Sequence, residues 1–262
     1  MPASLCARDV SLGYSDSPVI SGLTLEVPDD SFTIIIGPNA CGKSTLLRGL
    51  ARLLRPSHGS VLLDGAELHR QKSKEVAKRL GLLPQSSLAP DGITVADLVA
   101  RGRFPHQNAL RTWSSADEAA VSGAMAATNV TELSTRLVDE LSGGQRQRVW
   151  VAMALAQQTG HLLLDEPTTF LDIAHQIDLM ELFAELHRGG TTLVAVLHDL
   201  NHAARYATHL VAMRDGEIVA QGEPREIITE RIVEQVYDLP YQVITDPVSG
   251  TPLVLPLGGR RA

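Results

Sequence analysis

Phe32-Thr33-Ile34-Ile35-Ile36-Gly37-Pro38-Asn39-Ala40-Cys41-Gly42-Lys43-Ser44-Thr45 is the stretch on which the fold turns. Its first five residues form a short continuous β-branched run ended by Gly37-Pro38, the pattern of a strand buried on both faces. Thr45 to Leu54 then suits a helix. Between strand and helix lies G-x-x-x-x-G-K-[ST], from Gly37 to Ser44. A phosphate chain needs this arrangement: glycines let backbone N–H groups converge, and a helix N-terminus adds positive potential. Lys43 would reach the β- and γ-phosphates, and the Ser44 hydroxyl would bind Mg2+. At average residue frequencies a chain of this length matches the pattern by chance about once in 100.

Outward from this stretch, two later runs look alike. Leu162-Leu163-Leu164 ends in Asp165, and Leu193-Val194-Ala195-Val196-Leu197 ends in His198. Buried strands separated by helical stretches, each ending in a polar residue, indicate an open parallel α/β sheet whose ligands bind at the carboxyl ends of the strands. On the N-terminal side, Leu23, Leu25 and Val27 alternate with polar neighbours between the turn signals Gly13–Pro18 and Pro28-Asp29-Asp30, which predicts antiparallel strands at an edge. From about Ile93 to Ala156 the chain is Ala-rich and helix-favouring (116–128, then 146–158). An inserted helical subdomain, about 88–160, is therefore expected. Asp215-Gly216 centres a hairpin within 211–219, and Pro247, Gly250 and Pro252 mark a turn between short strands in the tail. No repeat or low-complexity linker occurs. One composite domain is expected, with a core of about 3–238 and a short extension at 239–262.

Composition narrows the class. The chain has 262 residues, 44% hydrophobic and 20% charged, with a net charge of −7. That is enough apolar mass for a core. The longest apolar run, Val149 to Ala156, is far short of the roughly 18–20 residues that cross a bilayer. Arg8, Asp9 and Asp16 break any signal-peptide pattern. Two cysteines, Cys6 and Cys41, exclude a disulfide scaffold or a cysteine-rich zinc module. The acidic balance argues against wholesale nucleic-acid binding, which needs clustered Lys and Arg. A soluble, reduced, cytoplasmic protein is the resulting expectation.

Two more segments carry chemistry. Leu141-Ser142-Gly143-Gly144-Gln145 opens an amphipathic helix; Ser142 is a good N-cap, and the glycines permit close approach to an anion. Its chance rate is about 3 in 10,000. Asp165-Glu166-Pro167 places two carboxylates at a strand end. Asp165 can support Mg2+ through its water shell, and Glu166 can orient or deprotonate an attacking water.

Together, in this order and across the whole chain, the phosphate loop, Leu141–Gln145, Asp165-Glu166 and His198 resemble the ATP-binding-cassette (ABC) ATPases. The resemblance implies an α/β fold: a P-loop NTPase core with a mostly parallel sheet, an antiparallel β subdomain and an inserted helical subdomain. It also implies further roles. Tyr14 matches the aromatic that stacks on adenine. Gln85 matches the glutamine that contacts Mg2+ and the attacking water and senses a membrane partner. His198 matches the histidine on the γ-phosphate. Gly37, Pro38, Asn39, Ala40, Cys41, Gly42, Lys43, Ser44 and Thr45 would bind ATP in one subunit. Ser142, Gly143, Gly144, Gln145 and Asp172 would contact the ATP of a second subunit, which implies a head-to-tail homodimer with two sandwiched nucleotides. Glu166, His198 and Gln85 would be catalytic, and Ser44, Gln85 and Asp165 would hold Mg2+.

Two positions in the phosphate loop stand apart. Many family members carry glycine where this chain has Ala40; a positive φ there would cost alanine roughly 1–2 kcal/mol, so a negative φ is expected. Cys41 lies among N–H groups that could lower its pKa, with an inert half-buried thiol as the alternative.

Arg101–Gln107, His198–Ala207, Thr168–Asp178 and Asp246–Leu253 are similar to stretches of ferric-siderophore importers. This branch implies an ATPase subunit at the cytoplasmic face of the inner membrane, docked through Gln85 and Arg101–Gln107 on integral-membrane permease subunits. A periplasmic or lipoprotein substrate-binding protein would act indirectly, and no nucleic acid is expected. His106 and His175 are read as surface or packing residues. Haem and cobalamin importers, a soluble ABC ATPase acting on nucleic acid or ribosomes, and a small-molecule P-loop kinase remain alternatives.

Overall fold

The computed structural model describes residues 4–14, 17–85, 89–107, 113–169 and 171–258. Ser15 and Asp16 of the first turn, Phe170 beside Asp172, Leu88 at the start of the helical stretch, and 259–262 of the extension lie outside the described residues. The chain divides into two compact units, Met1–Gln71 with Thr192–Ala262, and Lys72–Thr191.

The first unit begins with β1 (Leu5–Leu12), β2 (Ile20–Val27), β3 (Phe32–Ile36), α1 (Lys43–Leu50), β4 (His58–Leu63) and β5 (Ala66–Glu67). An antiparallel sheet runs β2-β1-β4-β5, with Leu5 opposite Val27 and Leu63. Leu23, Leu25 and Val27 are buried while Thr24 and Glu26 are exposed, as the alternation requires.

The second unit follows as α2 (Ser73–Ala77), β6 (Leu80–Leu83), α3 (Val95–Ala100), α4 (Ser115–Ala127), α5 (Gly143–Ala156), β7 (His161–Asp165) and α6 (Ile173–Arg188). Strands β6 and β7 pair in parallel, Leu80 opposite His161. Between them the regular elements of the described residues are helices, joined by turns and irregular segments and the isolated bridge Thr94–Leu137. Helix α4 begins with a capping box, Ser114 and Asp117 bonding each other's backbone N–H. A buried ion pair then ties this layer together. Arg103 Nε donates to Asp117 Oδ1 at 2.9 Å, and Arg103 Nη1 donates to the Ala156 carbonyl at 2.8 Å and to Gln158 Oε1 at 2.9 Å.

The chain returns to the first unit through β8 (Thr192–Val196), α7 (Leu200–Tyr206), β9 (His209–Arg214), β10 (Glu217–Gly222), α8 (Pro224–Ile227), α9 (Glu230–Tyr237), β11 (Tyr241–Thr245) and β12 (Pro252–Pro256). Here the strand order is β10-β9-β3-β8, with β3 parallel to both β8 and β9. Every residue of β3 and β8 is buried. Helix α1 packs on β8 and β1, and α7 packs on β3, which gives a continuous apolar strand neighbours on its faces. The β9–β10 hairpin turns at Asp215 (φ 50°) and Gly216 (φ 82°), two left-handed residues in a row that match the twist of the flanking strands. In the tail, β11 and β12 form the expected hairpin, and Asn201 Oδ1 of α7 accepts from the Val254 N–H at 2.7 Å. No helix among the described residues is long and apolar enough to cross a membrane.

Candidate active site

The first unit carries the phosphate loop between β3 and α1. Gly37 has φ 154°, and a Cβ there would lie 2.2 Å from the Met213 carbonyl oxygen and 2.8 Å from Cys41 Sγ, so only glycine fits. Gly42, in the left-handed region at φ 103°, is the N-cap of α1 and supplies no side-chain cap, so no capping side chain stands between a phosphate and the positive end of the helix. Cys41 holds the β9–β10 hairpin by accepting from the Gly216 N–H at 3.0 Å. Lys43 is buried, and its ammonium donates to the Gly37 and Pro38 carbonyls, each at 2.8 Å. Asn39, Ser44 and Thr45 complete the stretch.

Two expectations for this loop are corrected. Ala40 has φ 63°, in the left-handed region, not the negative value expected. The loop is held from both ends, by Gly37 against Met213 and by the Cys41–Gly216 bond, and this framework forces the strained residue. The Cys41 thiol is buried, and desolvation pushes its pKa up, outweighing the pull of Lys43 and of nearby N–H groups. Of the two readings of Cys41, burial favours the neutral thiol.

Tyr14 and His198 belong to the same unit. Tyr14 is 60% exposed, and its hydroxyl accepts from Arg48 Nη1 of α1 at 3.0 Å, so an outlying aromatic is anchored to the helix that begins at the loop. His198 is exposed just past β8. The next residue, Asp199, caps α7 by accepting from the Asn201 and His202 N–H groups at 2.8 Å each. The strand on one side and the cap on the other fix its backbone.

The second unit brings together Gln85 and Glu166, which are 81 positions apart. Gln85 Nε2 donates to Glu166 Oε2 at 2.6 Å, and Thr169 Oγ1 donates to the same oxygen at 3.3 Å. Glu166 has φ 51°, a strained conformation that turns the chain sharply at the end of β7. Asp165, beside it, is buried. Thr169 had no distinguishing signal in the sequence; its role arises from the turn that returns its hydroxyl to Glu166.

In the same unit, Ser142 caps the 14-residue helix α5. Its Oγ accepts from the Gln145 N–H at 3.3 Å, while Gln145 Oε1 accepts from the Ser142 N–H at 3.1 Å. Each side chain thus accepts from the other's backbone N–H, and a Cβ added at Gly143 would meet nothing. Asp172 caps the 16-residue helix α6 and is held below the usual carboxylate range, first by the His175 backbone N–H and then by the His175 ring. His106 Nε2 lies 2.8 Å from the Gln157 carbonyl, a packing contact as expected. Within Arg101–Gln107, Gly102, Arg103 and Pro105 are buried, whereas Arg101 and Phe104 are exposed. Arg103 is therefore a structural residue.

Each unit by itself offers a metal ion oxygen donors expected from the resemblance: the Ser44 hydroxyl in the first, and the Gln85 amide and Asp165 carboxylate in the second. No group of three or more His, Cys, Asp or Glu residues among the described residues could form a cage. Few hard protein donors, with substrate phosphates making up the rest, is how Mg2+ is usually held. The donor set fits.

The family model for ABC transporters matches residues 20–169, which span the phosphate loop, the Ser142 cap and the Asp165-Glu166 strand end. The chain belongs to the ABC transporter family. This ABC ATPase is 58% identical over 257 residues to the ferric enterobactin transport ATP-binding protein of Escherichia coli, covering 98% of this chain and 95% of that protein. It superposes on a chain of a metal-chelate type ABC transporter in an inward-facing conformation with a TM-score of 0.83 at 28% identity, covering 98% of both chains. It also matches an ATP-binding cassette solved as a dimer in a post-hydrolysis state with ADP and Pi. That TM-score is 0.75 at 25% identity, over 84% of this chain and 99% of the other. The ABC fold expected from the motifs, a mostly parallel core with antiparallel strands and helices, is the fold observed.

Proposed function

We propose that this ABC ATPase powers the import of ferric siderophores through separate membrane permease subunits, from the cytoplasmic face of the inner membrane. The observation that carries the substrate class is the 58% identity, over nearly the whole chain, to a protein named for ferric enterobactin transport. The chelate itself would be handed from a periplasmic or lipoprotein binding protein to the permease and would not touch this chain. Permease contact would fall near Gln85, Arg101 and Phe104. Two copies would sandwich two ATP molecules head to tail, a reading supported by the dimeric cassette bound to ADP and Pi.

In this mechanism Tyr14 stacks on adenine, and the phosphate-loop N–H groups from Gly37 to Thr45 cradle the phosphates. Lys43 exchanges the Gly37 and Pro38 carbonyls for β- and γ-phosphate oxygens. Ser44, Gln85 and Asp165 would hold Mg2+, which when bound neutralises charge between the β- and γ-phosphates. Glu166, aimed by Gln85 and Thr169, takes a proton from water as its oxygen attacks the γ-phosphorus and the bond to the bridging oxygen breaks. His198 donates a hydrogen bond to the γ-phosphate. From the second subunit, Ser142–Gln145 and Asp172 close over the same nucleotide, so ATP acts as interfacial glue and hydrolysis releases it.

Deleting the gene and comparing uptake of labelled ferric siderophores, haem and cobalamin under iron limitation tests the substrate class. Loss of ferric siderophore uptake is expected. Loss confined to haem or cobalamin overturns the assignment, and salt-sensitive nucleic-acid binding by the purified chain would favour the soluble class.

A further inference from the structure

Asp172 Oδ1 accepts two hydrogen bonds from one residue. The His175 backbone N–H donates at 2.9 Å, the ordinary N-cap bond, and the His175 ring places Nδ1 at 2.7 Å from the same oxygen. Helix capping needs only the first. The ring bond requires a proton on Nδ1 and fixes the carboxylate's rotation about its own side chain. Of the two side chains, Asp172 is 66% exposed and His175 38%, so the pair stands at the surface with the carboxylate outermost.

The other edge of the imidazole faces the N-terminus of α5. A Cβ added at Gly144 would lie 3.7 Å from His175 Cδ2 and Cγ and 3.7 Å from Leu171 Cδ2, in ordinary van der Waals contact. Gly144, Arg148, Leu171, His175 and Asp178 line one small pocket of about 50 Å3. The His175 ring thus bonds Asp172 and, with Gly144 of the α5 cap, lines one pocket.

We propose that His175 is a positioning residue that fixes the rotation of the Asp172 carboxylate beside the Ser142–Gln145 cap, so that the carboxylate reaches a partner subunit's ATP. This rests on the reading of those two segments as the arm that acts in trans. Neither packing nor helix capping alone calls for an imidazole here. A leucine would fill the space beside Gly144, and Asp172 would still be capped by a backbone N–H at position 175. What only a ring N–H or its equivalent supplies is the orientation of the carboxylate relative to the cap.

Steady-state ATPase assays, binding of a fluorescent ATP analogue and thermal melting on the full chain test this with three variants. His175→Leu keeps the apolar contact and removes the donor. His175→Asn places an amide donor where Nδ1 stood. Asp172→Gly keeps a tolerated cap and removes the carboxylate. His175→Leu is expected to lower kcat about ten-fold, the scale of losing one hydrogen bond to a charged group. Its affinity for the ATP analogue and its melting temperature should stay unchanged. His175→Asn should return kcat to within about three-fold of the parent. Wild-type kcat in His175→Leu, with Asp172→Gly impaired, overturns the inference alone. Wild-type kcat in Asp172→Gly overturns the trans-acting reading beneath it. Equal losses in His175→Leu and His175→Asn, or a lowered melting temperature, assign the histidine to packing and overturn the inference as well.

Discussion

Ala40 carries strain at φ 63° that a glycine would not. Relief of the left-handed penalty gives about 1–2 kcal/mol, and the greater freedom of glycine in the unfolded chain takes back about 0.5–1 kcal/mol. Ala40→Gly should therefore stabilise the protein by about 0.5–1 kcal/mol, a rise in Tm of about 2 °C by calorimetry; no rise, or a fall, would show that the methyl packs favourably enough to offset the strain. The neighbouring Cys41 shows why position in the sequence is a poor guide to reactivity. Being next to N–H groups and Lys43 pulls its pKa down, but burial pushes it up and wins. Adjacency was legible in the residues; burial was not.

At the scale of elements, the helical layer of the second unit depends on one buried carboxylate. Asp117 is held at about 2, against an ordinary value of 3.8, first by the Ser114 hydroxyl and then by Arg103. A carboxylate with a depressed folded pKa stabilises the native state above its unfolded pKa, and that contribution disappears as pH falls through the folded value. The unit should accordingly lose stability between about pH 4 and pH 2, and Asp117→Asn should flatten that slope. Urea unfolding midpoints across the range check it, and an unchanged slope in the variant would place the acid sensitivity elsewhere. The sequence pattern foretold the helices around this pair, from the Ala-rich stretches 116–128 and 146–158 and the Ser142 cap. It could not foretell the pair itself: Arg103 had been placed on a partner-facing loop, whereas packing turns it inward to the Ala156 carbonyl and Gln158.

At the scale of the whole molecule, the proposed mechanism links turnover and association through Glu166. Glu166→Gln keeps an amide in place of the carboxylate and removes the base, so phosphate release should fall at least about 100-fold while ATP binding persists. If hydrolysis removes a γ-phosphate held by both copies, as in the proposed sandwich, this variant should accumulate as an ATP-bound dimer by light scattering. Phosphate release at the wild-type rate would remove Glu166 from the role of base.

What the sequence alone determined is the chemistry that adjacent residues share. The Gly37–Ser44 loop, the Ser142 cap and the Asp165-Glu166 strand end depend on local backbone geometry, which a few contiguous residues dictate, and so they were legible without coordinates. The tertiary structure alone decided the 2.6 Å bond between Gln85 and Glu166, the burial of Arg103 and Cys41, the left-handed Ala40, and the pocket that His175 lines with Gly144. Each of these depends on chain segments far apart in sequence meeting at ångström distances, and on the water they exclude when they meet. No local pattern encodes either.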